Sequence, residues 1–226
     1  MGLSTTDLGS GSGMPKTIAP GNHVLKINSI NLEDFQFIDG AKHLILNVET
    51  EPIEGFEGFM IDKDDASKGN YAGQIGRIKA SQYAFADGET KTGVKIQRDR
   101  SIMIFLQNLC KTMDIMDWFK AQDNKHDTIE DFVNAFNKTA PYKNIYLSFC
   151  VAGKEYVGKT GYTNYDLHLP KADKAKYAFG NVDSDKVIIY DEKLHLKKAD
   201  STPVKNFGKD DDFSMPTNTS SDFSLD

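Results

Sequence analysis

Two periodicities take turns along this chain, and their order limits the folds open to it. Val24, Ile27 and Ile30 sit among polar neighbours, and Leu44, Leu46 and Val48 repeat with a period of two up to Pro52. Asp39-Gly40 lies between these segments, which predicts an antiparallel pair joined by a tight turn. Gly55 to Gly76 is rich in Gly and Asp and reads as loop, with a short strand at Phe59 to Ile61. Ile75, Ile78, Tyr83 and Phe85 follow with no period that assigns them. The period then changes. Ile102, Phe105, Leu106, Leu109, Met113 and Met116 recur at steps of three and four, which predicts one helix from Ser101 to Phe119. A second helix opens at Asp127 or Thr128, with Glu130 three residues after Asp127 as in a capping box. Ile129, Phe132, Val133 and Phe136 line its apolar face, and Pro141 ends it. Alternation returns at Ile145, Leu147, Phe149 and Val151, then at Tyr165, Leu167 and Leu169. It comes back once more at Val187 to Tyr190 with Leu194 and Leu196.

Strands on both sides of a two-helix insertion predict a mainly β, α+β fold. The order fits an OB-fold-like antiparallel β-barrel over residues 20–200, its helical insertion at about 100–140. Residues 1–19 read as a flexible N-terminal arm. Residues 201–226 are Ser, Thr, Pro, Asn and Asp with single phenylalanines, a composition that cannot bury a core and predicts a disordered acidic tail. No apolar run approaches the roughly 20 residues needed to span a bilayer. The Gly/Ser/Thr-rich N-terminus has no basic region leading into an apolar stretch, so a secretory leader is not expected and a cytoplasmic location is. Cys110 and Cys150 each lie inside apolar runs and read as reduced core residues.

The formal net charge of -6 conceals a gradient. From Ser201 to Asp226, Lys205 and Lys209 face five aspartates, a balance of -3. From Tyr71 to Arg100, six basic residues face three acidic ones, a balance of +3. A basic surface and an acidic tail coexist in one chain.

Gly153-Lys154-Glu155-Tyr156-Val157-Gly158-Lys159-Thr160 matches the phosphate-loop pattern G-x-x-x-x-G-K-T, and Val187 to Glu192 resembles the apolar strand that ends in a magnesium-binding aspartate. A phosphate loop works because it runs directly into a helix whose N-terminal N–H groups face the anion. Here Thr160 is followed by Gly161 to Pro170, which alternates with period two and reads as a strand. The nucleotide-hydrolase reading therefore stands as an alternative, decided by whether Thr160 opens a helix or belongs to a hairpin.

In a hairpin the same residues form a glycine-flanked finger carrying Lys154, Lys159, Tyr156 and Tyr162, with Lys171, Lys174 and Lys176 just beyond. Cations that meet phosphates and aromatic faces that stack bases are what a sequence-tolerant single-strand groove needs. An ordinary solvated hairpin whose tyrosines close the end of the domain is the alternative. A second basic set, Arg77, Lys79, Lys91, Lys95, Arg98 and Arg100, lies near Tyr71, Tyr83 and Phe85. A solvated face with helix-start charges explains that set equally well. The histidines (His23, His43, His126, His168, His195) are scattered without metal spacing and read as structural. Ser148 and Cys150 have no visible base, Asp62, Asp64 and Asp65 read as loop, and Trp118 reads as packing. No catalytic residue, metal or cofactor is expected.

The tail sets Phe213 after Asp210, Asp211 and Asp212, and Phe223 and Leu225 between Asp222 and Asp226. Such a segment suits a partner's apolar pocket ringed by basic residues. It also mimics a polyanion able to compete for the chain's own basic groove, and a merely solubilising tail is the remaining reading. In element order over His23 to Lys198, and in these tail residues, the chain resembles the single-stranded-DNA-binding proteins of bacteriophage replication. That resemblance implies a non-enzymatic protein that coats single strands in the host cytoplasm during replication or recombination. Its tail would recruit replication or recombination proteins, and homo-oligomers are compatible with it. The chain departs from the family in ending on Asp226 instead of an aromatic or Pro-Phe tip. A structural or adaptor phage protein is a third reading.

Overall fold

The computed structural model describes residues 16–54, 59–60, 70–71, 73–158, 162–173 and 175–199. The tail, Lys159, Lys174 and most of the expected N-terminal arm lie outside these residues.

The first alternating segments form β1 (Gly21–Asp34) and β2 (Lys42–Thr50), antiparallel, with Gly40 in the turn at φ +70°. Leu25 and Ile27 face the core, and so does Ile30, three residues on. The odd step is a β-bulge: Ile27 pairs with Val48 and Ser29 with Asn47, so Asn28 is the extra residue that returns the strand to phase. Two short pairs follow the flanking loops, β3 (Phe59–Met60) with β4 (Asn70–Tyr71) and β6 (Gly88–Glu89) with β7 (Lys95–Ile96). Between them β5 (Ile75–Lys79) takes up the segment that the sequence leaves unassigned. Ile18, within the stretch read as an arm, is buried, and its N–H donates to the Ile75 carbonyl at 2.9 Å. The site leaves room only for glycine opposite, since a Cβ on Gly76 would stand 2.3 Å from the Ile18 side chain.

The helical block differs from the expected single helix. It runs as α1 (Arg98–Thr112) and α2 (Met116–Lys120), followed by α3 (Ile129–Thr139), so the insertion holds three helices instead of two. Asp114, at φ +57°, sits in the left-handed region, and the Ile115 N–H reaches back to the Cys110 carbonyl at 2.9 Å. This is a Schellman-type stop. The apolar stripe crosses it unbroken because Met113 and Met116 both still meet the core. At α3 the cap is Thr128, whose Oγ1 accepts from the Asp131 N–H at 3.1 Å, one residue later than an Asp127–Glu130 box would place it. Trp118 packs on Phe136, ring centroids 4.8 Å apart.

The returning strands are β8 (Tyr146–Val157) and β9 (Thr163–His168), an antiparallel hairpin, followed by β10 (Phe179–Asn181). The expected strand at Val187 to Tyr190 is absent; only an isolated bridge ties Val187 to Tyr177. The Asn22 side chain takes the ladder's place, donating to the Ile188 carbonyl at 2.8 Å and accepting from the Tyr190 N–H at 2.7 Å. Asp191 then caps the short α4 (Glu192–His195), and β11 (Leu196–Lys197) runs parallel to β8.

The fold is mostly β, with a seven-stranded mixed sheet and a few helices. The sheet order is β1-β2-β5-β9-β8-β10, with β11 on β8, and β1 pairs with β8 as well. Each of β1, β2, β5, β9 and β8 therefore has two neighbours among the other four. All these pairings are antiparallel except β5 with β9. Leu25, Leu46, Ile78, Phe149 and Leu167 from the strands meet Leu106, Leu109 and Phe136 from the helices in one core. No described helix is long and apolar enough to cross a membrane.

Candidate nucleic-acid interface

On β5 the buried Ile78 lies between Arg77 and Lys79, so strand alternation turns both cations to the outer face. β9 is the parallel neighbour, with Lys79 opposite His168. β8 follows, with Lys154 opposite Asp166 and Tyr156 opposite Asn164. Outward positions on three strands thus fall together. Arg77, Lys79, Lys154 and Tyr156 line one groove of about 570 Å³, with Glu33, Tyr165 and Asp166 in its walls. Tyr162 continues the same face at the end of the hairpin, where its carbonyl accepts from the Gly158 N–H at 2.9 Å. Tyr156 is 48% exposed and Tyr162 74%.

The groove is mixed in charge. Arg77 pairs with Glu33, and Lys79 Nζ lies 2.8 Å from Asp166 Oδ2. Lys154 makes no ion pair with a described residue. Exposed pairs of this kind contribute about 0–1 kcal/mol, so an anion at the groove would displace a weakly held carboxylate partner at small cost.

One side of the face carries residues that the sequence reading did not single out. Phe35 packs edge-on against His43 at 5.1 Å and against Phe37 at 5.4 Å, and Phe37 is 85% exposed. His43 is paired in register with Glu33, which places this aromatic ladder beside the groove. Burial, and then the positive charge of Lys79, holds the His43 imidazole below its usual pKa of 6.5. His168 is also lowered, chiefly by burial. The available signal was Phe35-Gln36-Phe37 running straight into the Asp39-Gly40 turn.

The remaining predicted residues lie elsewhere. Lys91 and Lys95 are exposed at the β6–β7 hairpin and line no part of the groove. Arg98 opens α1, bonded to Asp99 at 2.6 Å, while its guanidinium donates to the Gly40 carbonyl at 2.7 Å; it ties the helix to the β1–β2 turn. Lys171 follows β9 and lines two other cavities. Lys159 and the tail residues Asp210, Asp211, Asp212, Phe213, Asp222, Phe223, Leu225 and Asp226 lie outside the described residues.

The phosphate-loop text leads into a strand. Thr163–His168 pairs with Tyr146–Val157, so among the described residues no helix N-terminus of the kind such a loop requires follows it. Both cysteines are buried, which pushes the Cys110 thiol up to about 12 and Cys150 up to about 11. Among the described residues no three His, Cys, Asp or Glu side chains gather where they would hold a metal ion. Compared with models of known families, with curated proteins and with solved structures, the chain matches none.

Proposed function

We propose that this protein binds single-stranded DNA on the outer face of β2, β5, β9 and β8, coating it during phage replication or recombination in the host cytoplasm. The observation that carries this reading is the convergence of Arg77, Lys79, Lys154 and Tyr156 on one groove. Exposed aromatics stand on either side of it, Phe37 at the β1–β2 turn and Tyr162 on the β8–β9 hairpin. Phosphates meet the cations and bases stack on the rings, a division of labour that tolerates any sequence.

We read the architecture as a five-stranded OB-fold barrel. The ring of pairings β1-β2-β5-β9-β8-β1, with one parallel step and helices entering between the third and fourth of these strands, supports it. In that fold the second and third strands, with the loops after the first and fourth, are the oligonucleotide surface. Here those are β2, β5, the Phe37 turn and the Tyr162 hairpin. The acidic tail serves as the recruiting element for replication or recombination proteins, and the protein acts without catalysis or cofactor.

Titration of the full chain with oligo-dT, duplex DNA and RNA of equal length at two salt concentrations tests the reading. Oligo-dT is expected to bind more tightly than duplex, with a log–log salt slope of about -0.7 per phosphate neutralised. Duplex bound as tightly as oligo-dT overturns it.

A further inference from the structure

A second cavity, of about 690 Å³, opens between α1, β10 and the segment after β9, and it shares no lining residue with the groove. Its size is that of a pocket for a bulky side chain and its flanks, in the range of about 300–1,000 Å³. Phe85, Phe105 and Phe179 supply an aromatic wall, Phe105 and Phe179 edge-on at 5.7 Å. Lys111, Lys171 and Lys186 stand around it, and no Asp or Glu lines it, although the chain as a whole carries -6. None of the three lysines is ion-paired with a described residue. Asp173, Asp183 and Asp185 lie in neighbouring turns but contribute nothing to the walls. An apolar floor with three uncompensated cations calls for an anionic ligand that carries an aromatic ring.

The chain supplies such a ligand and ends its described course nearby. Leu194 and His195 line an adjoining cavity that shares Ala80, Ser81, Leu169, Pro170 and Lys171 with this one. From residue 199, the last described residue, 14 residues lead to Phe213. Extended, they span up to about 45 Å. Asp210, Asp211 and Asp212 precede that ring, one carboxylate for each lysine.

We infer that the segment Asp210-Asp211-Asp212-Phe213 docks in this cavity of its own chain, the Phe213 ring against Phe105 and Phe179 and the aspartates against Lys111, Lys171 and Lys186. Ring-edge contact and charge-assisted bonds supply the attraction. Docking here leaves the groove open, so the inference does not rest on the DNA-binding reading. The lysine pairs weaken with salt.

A nitroxide on Ser214→Cys in the full chain tests it. The native cysteines are buried with raised thiol pKa values, so the introduced thiol reacts selectively. Isotope-labelled, spin-labelled protein is diluted into excess unlabelled protein, so that only contacts within one chain are read. The amides of Lys111, Gly180 and Ser184 are expected to broaden, and those of Arg77 and Lys154 to remain sharp. Phe213→Ala abolishes the broadening, and the triple change Lys111→Glu, Lys171→Glu, Lys186→Glu reduces it several-fold while the remaining spectrum reports an intact fold. Broadening at the groove, broadening seen only between chains, or none at all overturns the inference.

Discussion

Asn137 on α3 bonds both backbone groups of Ile30 on β1: its Oδ1 accepts from the Ile30 N–H at 2.9 Å, and its Nδ2 donates to the Ile30 carbonyl at 2.6 Å. The pairing of β1 with β8 ends at Lys26, so four residues further on Ile30 has no strand on that side. A side-chain amide stands in for the missing strand and fixes α3 to the sheet edge. Tyr142, fully packed against Phe136, donates its hydroxyl to the same Oδ1 at 2.8 Å.

Asn137→Ala therefore strands two backbone groups and the Tyr142 hydroxyl. Each buried unpaired group costs about 1–3 kcal/mol, and a total loss of about 2–5 kcal/mol is expected in urea denaturation. Tyr142→Phe, which removes one donor and leaves both Ile30 bonds, is expected to cost only about 0.5–1.5 kcal/mol. Equal losses for the two variants would count against the amide acting as a strand substitute.

What the sequence disclosed follows from how local each feature is. The β1–β2 pair was legible because Leu44, Leu46 and Val48 alternate and Asp39-Gly40 names its turn. The Arg77–Lys79 face was not, since Ile75 and Ile78 alone set no period; strand β5, with Ile78 buried between the two cations, supplies it. The break between α1 and α2 was hidden, since Met113 and Met116 keep the helical spacing across a left-handed Asp114. Val187 to Tyr190 read as a strand from its apolar run, but Asn22, far away in sequence, takes the Ile188 carbonyl and the Tyr190 N–H in place of a ladder. The carboxylates Glu33 and Asp166, which pair with the groove cations, were equally invisible at separations of 44 and 87 residues.

Tyr156, Tyr162 and Phe37 are exposed and so carry little of the core's stability. Changing any one of them to alanine is expected to weaken oligo-dT binding by about 1–3 kcal/mol, the stacking contribution per base. Melting temperatures should stay within a degree or two of the parent. Unchanged affinity with a lowered melting temperature would assign these rings to packing.

His43 and His168 make stability depend on pH. Both are held below 6.5 in the folded protein, first by burial and then by charges that include Lys79, partly opposed by Asp166; His195 adds to the lowering at His168. The unfolded chain therefore takes up more protons than the folded one below about 6.5. Unfolding free energy is expected to be at its full value above that pH and to fall as pH drops through it. Urea titrations at pH 7.5 and 5.5 check the sign, and a His168→Phe variant should show a shallower fall. A protein equally stable at both values would refute the assignment.

The Lys79–Asp166 pair bears most directly on the groove. Lys79 is held 2.8 Å from Asp166 across the one parallel step of the sheet, and both side chains are partly exposed. A phosphate arriving at Lys79 must compete with that carboxylate and also meets its repulsion. Asp166→Asn keeps the size and the polar contact but removes the charge, so oligo-dT affinity is expected to rise several-fold at low salt. The gain should shrink as the Debye length falls to about 10 Å at 0.1 M. Because an exposed pair contributes about 0–1 kcal/mol, stability should barely change. Lys79→Ala works in the opposite direction, lowering affinity and making the salt slope shallower by about 0.7 if one phosphate contact is lost. The double variant separates the two roles: with Lys79 gone, Asp166→Asn should still relieve repulsion but give a smaller gain than in the parent. An Asp166→Asn protein that binds oligo-dT no better at any salt concentration would remove this pair, and with it the β5–β9 face, from the binding surface.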